Sequence, residues 1–118
     1  MLKIFRAITF VVAVLAVSPG MAADLPAQML QQCLAKSHSL LPEVRRDDLA
    51  VTLQSYFNTG RAGMSNAAVV GSASPAFTWA NETRLACGEA LGYLKGGHVD
   101  VTTVTQCDCF YQRYISFR

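Results

Sequence analysis

Charge is scarce in this sequence. Lys, Arg, Asp and Glu make up 15% of its 118 residues, against about 25% in an ordinary domain. The formal net charge is +2, and that surplus sits at one end: residues 1–23 hold Lys3 and Arg6 and no acid. The rest of the chain balances eight basic against eight acidic side chains. A domain that binds nucleic acid by displacing counterions needs a basic surplus, so that class is excluded. An acidic disordered tail is excluded on the same count. The length fits one domain.

The signatures of most catalytic and metal sites are missing as well. There are only two histidines. His38 lies in the polar run Lys36-Ser37-His38-Ser39, and His98 follows Gly96-Gly97. Neither is accompanied by a Gly-x-Ser-x-Gly nucleophile turn. Glu82 and Glu89 are seven apart and can share a helix face, whereas a glycosidase needs two carboxyls on opposite sides of a bond; the pair reads as a solvated face. Asp47 and Asp48 read as a helix cap beside Arg45 and Arg46. No Cys-x-x-Cys pair suggests a zinc site, and the absence of Cys-x-x-Cys-His argues against covalent haem. Gly96-Gly97-His98 has the composition of a copper chelate, but that chelate needs a free amino terminus. No cofactor and no metal is expected. The two-residue alternation of β-strands is weak throughout.

One apolar run stands out. Residues 7–17 are apolar except for Thr9, a basic start precedes them, and Ser18, Pro19 and Gly20 follow. Basic end, apolar core and small-residue cut site together make a secretory signal peptide. Cutting after Ala22 places Gly20 and Ala22 at the two small positions. The run is far short of the ~20 residues that span a bilayer. The expected mature protein is residues 23–118, periplasmic or secreted, with no membrane span after cleavage.

Export gives the cysteines their meaning. Cys33, Cys87, Cys107 and Cys109 all lie beyond the leader. An even number in an oxidising compartment predicts two disulfides. Residues two apart on a helix stand ~200° apart around its axis, so Cys107 and Cys109 point to opposite sides. Each then reaches a different neighbour. The pairing is either Cys33–Cys107 with Cys87–Cys109, or Cys33–Cys109 with Cys87–Cys107. Bridges closing such long loops stabilise by ~3–5 kcal/mol each, a large part of the ~5–10 kcal/mol of a small domain.

The elements read as four helices, an all-α domain stapled by two disulfides. The first covers residues 25–37, with Leu30, Cys33 and Leu34 on one face. The second covers 49–57, capped by Asp47 or Asp48 and ended by Asn58 and Gly60. Residues 60–74, rich in Gly, Ala, Ser and Val, form either a mobile loop or a small helix over 66–70. The third helix covers 75–95, with Ser74 as cap, Pro75 at the first position, and an apolar row of Phe77, Ala80, Cys87, Leu91 and Leu94. Gly96 and Gly97 stop it. The fourth begins after Asp100 or Thr102 and runs to Tyr114. It is apolar on two sides and therefore expected at the centre.

What remains is a neutral, compact, exported domain without a catalytic set. The first expectation is a protein-interaction domain: an inhibitor, an immunity-type protein or an accessory subunit. Its partner would be another exported or envelope protein. In broad architecture the chain resembles the small helical, disulfide-bonded periplasmic immunity proteins of bacteria, a resemblance that assigns no residue. Trp79 is the expected contact residue because aromatic anchors dominate interface energetics; Met64 and Asn66, in the small-residue segment before it, are the other candidates. The alternatives are an envelope stress chaperone and a thiol redox or metal protein using Cys107 and Cys109. Acid-stress chaperones draw on many titrating groups, which this chain lacks.

Overall fold

The computed structural model describes residues 30–36 and 38–117. The leader, residues 1–22, and the start of the first expected helix lie outside the described residues. Among the described residues the chain is all helix and turn, with no strand. A π-helical turn, Gln32–Lys36, and a 3-10 turn, Leu41–Glu43, precede four α-helices. These are α1 (Arg46–Met64), α2 (Ala67–Val70), α3 (Ala76–Lys95) and α4 (Val101–Ile115).

Helix α1 does not stop at Asn58 and Gly60. It continues for 19 residues to Met64. Gly60 and Gly63 cost helix propensity, ~1 kcal/mol each, yet both are buried against α3. A Cβ placed on Gly60 would stand 2.8 Å from the Ala80 carbonyl oxygen and 3.0 Å from the Arg84 nitrogen. A Cβ on Gly63 would meet the ring and hydroxyl of Tyr114. The glycines make a notch that lets two helix backbones approach, and the packing gained outweighs the propensity lost.

The segment 60–74 contains structure throughout. Ser65 closes α1, and Asn66 starts α2 by accepting bonds from the N–H groups of Ala68 (2.9 Å) and Val69 (3.4 Å). The small-helix alternative is the one found. Gly71 ends α2, and Ser72 and Ser74 form a turn in which the Ser74 N–H donates to the Ser72 hydroxyl at 3.1 Å. Ser74 is therefore a turn residue, and Pro75 holds the cap position of α3.

The buried face of α3 differs from the expected row. Ala76, Trp79, Ala80, Thr83, Ala86, Cys87 and Ala90 are buried, whereas Phe77 is exposed. The expected row followed three- and four-residue steps, and it shares Ala80 and Cys87 with the observed face. Apart from Trp79 the observed face is made of small residues, which lets α3 fit between α1 and α4. It packs extensively on both, while α1 and α4 touch each other much less. The central helix is thus α3 and not α4. Asp100, rather than Thr102, caps α4 through a 2.9 Å bond from the Thr103 N–H. The turn before it uses Gly97 at φ 83°, a conformation open to glycine at no steric cost.

The core joins Leu49 and Leu53 of α1, Trp79, Cys87 and Ala90 of α3, and Val104, Cys107, Phe110 and Tyr114 of α4. Trp79 and Phe110 meet at 5.9 Å with a 40° tilt. The disulfides are Cys33–Cys109 and Cys87–Cys107, with Cα separations of 5.6 and 4.6 Å. Helix α4 is stapled on one side to α3 and on the other to the π-helical turn. This is the second of the two pairings that the helix geometry allows.

Candidate functional site

Trp79 is 0% exposed. An expected contact residue is instead the largest fully buried side chain, since α3 turns it onto Phe110 and away from solvent. Met64 is half-buried at the end of α1, where its sulfur accepts a bond from Arg84 Nε at 3.1 Å. Asn66 is exposed, but its amide oxygen is committed to capping α2. Met64 and Asn66 remain together at the α1–α2 junction; Trp79 does not join them.

A groove of about 420 Å³ opens beside that junction. Its walls come from the end of α1, from α2, from the first residue of α3 and from the end of α4. Gly63, Asn66, Val69, Ala76, Tyr114 and Phe117 are among the residues lining it, and none of the lining residues is charged. Tyr114 is only 3% exposed and lies against Gly63, so the missing side chain there shapes one wall. Phe117 is partly exposed and stands at the same groove. The helical period puts Tyr114 on α4 and Phe117 just past its end, but only the fold brings α2 across from them.

A second groove of about 400 Å³, with charged residues in its lining, lies along another side of the C-terminal half of α4. His38, Asp108, Cys109, Gln112, Arg113 and Ser116 line it. Ser39 donates its hydroxyl proton to Asp108 Oδ2 at 2.6 Å and accepts from the Leu41 N–H at 3.1 Å. Serine, histidine and carboxylate are therefore neighbours, but the serine proton goes to the carboxylate and not to the imidazole. That arrangement ties the segment before α1 to α4; it does not prime a nucleophile in the manner of a triad. Arg113 adds a second tie, donating to Gln32 Oε1 at 3.2 Å.

The remaining candidates are dispersed. His98 is edge-on to the Tyr93 ring at 5.9 Å and 4.0 Å from the Asp100 carboxylate, at the opposite end of α4 from His38. Among the described residues, no three His, Cys, Asp or Glu side chains gather as a metal site. Cys107 and Cys109 are bonded to different elements, so the Cys-x-Cys motif presents no pair of thiols. In the sequon Asn81-Glu82-Thr83, Thr83 is fully buried and gives its hydroxyl proton to the Trp79 carbonyl.

Among the described residues, two titrating groups are shifted. The Thr103 backbone N–H, and after it the Thr103 hydroxyl, holds the Asp100 carboxyl below its ordinary value. Burial, then the charge of Asp108, then Tyr111, raises the Tyr56 phenol above its ordinary value. Tyr56 stacks face to face on Tyr111 at 3.6 Å and 7°, an α1–α4 contact. Both shifts have structural causes outside the uncharged groove. Compared with protein-family models, with curated proteins and with solved structures, the chain gives no match.

Proposed function

We propose that the chain is an exported protein-interaction domain, of the inhibitor, immunity or accessory kind, and that it binds another exported or envelope protein. The observation that carries this reading is the uncharged groove at the α1–α2 junction, built on a bundle in which every cysteine is bridged. Such a surface is set before binding, because bridged helices lose little freedom on association. Its lining of glycine, alanine, valine and neutral polar groups suits an uncharged, partly apolar segment of the partner. A charged segment would lose its hydration there without gaining a counter-charge. The leader supports the same compartment that the disulfides need.

The test is capture of exported and envelope proteins by the oxidised protein, run beside an Ala68→Glu variant. Ala68 is exposed and lines the groove, so the change adds charge without disturbing the core. One stoichiometric partner held by the native protein and lost from the variant is the expected result. Equal retention by both, or no specific partner, refutes the reading.

A further inference from the structure

The two disulfides sit in different surroundings. Cys87 and Cys107 are both 0% exposed, between α3 and α4. Cys33 is also buried, but Cys109 is half-buried and lines the second groove with His38 and Arg113. Thiol–disulfide exchange requires in-line access of a thiolate to one sulfur of the bond. Only one bridge has a cysteine at an open groove.

We propose that Cys33–Cys109 is an exchange site for a dithiol reductant, and that its opening releases the segment before α1 from α4 while Cys87–Cys107 holds the bundle. A thiolate of the dithiol attacks Cys109 Sγ from the groove. A new S–S bond to the reductant forms as the Cys33–Cys109 bond breaks, and the electron pair leaves on Cys33 Sγ, which takes a proton from water. The second thiolate of the reductant then attacks its own sulfur in the mixed disulfide and expels the Cys109 thiolate, which is protonated in turn. One protein disulfide becomes two thiols, and one dithiol becomes a disulfide. Arg113 favours this course. It lines the groove with Cys109, and its guanidinium reaches Gln32, the neighbour of Cys33 in the chain. A positive charge there stabilises the departing thiolate.

Among the described residues, the segment is also tied to the bundle by the Ser39–Asp108 bond at 2.6 Å, the Arg113–Gln32 bond at 3.2 Å, and the partial burial of Leu30 and Leu41 against the core. Release of the segment would free Asp108 and Arg113 of α4 from Ser39 and Gln32. Nothing in this step depends on what occupies the uncharged groove at the far side.

The experiment is stepwise reduction of the oxidised protein with dithiothreitol under native conditions, quenched by alkylation and read by peptide mass spectrometry. Cys33 and Cys109 are expected to be labelled at least about ten-fold faster than Cys87 and Cys107, with the far-ultraviolet helix signal unchanged while only the first pair is labelled. Equal rates, or Cys87 and Cys107 first, would overturn the proposal. Arg113→Gln is expected to slow labelling of the first pair alone; an unchanged rate removes Arg113 from the account. A Cys33→Ser, Cys109→Ser double variant is expected to keep α3 and α4 and to show faster amide exchange before α1. Loss of the helix signal in that variant would also overturn it.

Discussion

Gly60 and Gly63 let α1 lie against α3 with no side chain between the backbones. Gly60→Ala places a Cβ against a carbonyl oxygen and an amide nitrogen, atoms that move only if a helix moves. The expected loss is that of overpacking, ~1–3 kcal/mol, read from urea denaturation. Gly92→Ala is the control: a Cβ there meets nothing within 4 Å, so the gain in helix propensity should raise stability by ~0.5–1 kcal/mol. Trp79 offers a second comparison. Its indole N–H is buried without a partner among the described residues, a cost of ~1–3 kcal/mol. Trp79→Ala should lose ~3–5 kcal/mol by opening a cavity, whereas Trp79→Phe discards the unsatisfied N–H and should lose markedly less. Residue roles of this kind were the least legible part of the sequence. A glycine in a helix reads as a stop until a neighbouring helix is known to press on it. A lone tryptophan near a small-residue segment reads as exposed until the rotation of its helix is known.

At the scale of elements, the caps and the packing faces decide the structure, and two of them respond to pH. Asp100 accepts the Thr103 N–H at the start of α4. Its carboxyl titrates below the ordinary 3.8 when folded, so its stabilising contribution is complete above that value and is lost as pH falls through the lowered one. Asp100→Asn should therefore flatten the acid limb of the melting temperature plotted against pH. Tyr56 behaves in the opposite sense. Its phenol is raised above 10.0, so its contribution is present below pH 10 and is lost as pH rises through the raised value. Tyr56→Phe keeps the ring against Tyr111 and should make the alkaline limb shallower. Helix existence was legible from periodicity and punctuation: Pro75 and Gly96 bracket α3 to within a residue, and Asp100 was one of two expected caps for α4. The length of α1 and the face of α3 were not. Both depend on small residues whose value lies in the space they leave, which an apolar period does not register.

At the scale of the molecule, two nested bridges hold the bundle. Cys87–Cys107 closes a separation of 20 residues inside the 76 spanned by Cys33–Cys109. On chain entropy alone they contribute ~3 and ~4 kcal/mol, so full reduction should leave a chain near the limit of folding. The two-sided stapling of α4 was legible because Cys-x-Cys on a helix leaves each sulfur a different neighbour. Which neighbour was not, since that depends on which side of α4 faces α3. The central claim is that the working protein is the oxidised domain that remains after export. The direct measurement is the intact mass and peptide map of the natural protein taken from the exported fraction. The account predicts a chain beginning at Ala23, with linked peptides joining Cys33 to Cys109 and Cys87 to Cys107. A chain that retains Met1, or one with free thiols at these four positions, would contradict it.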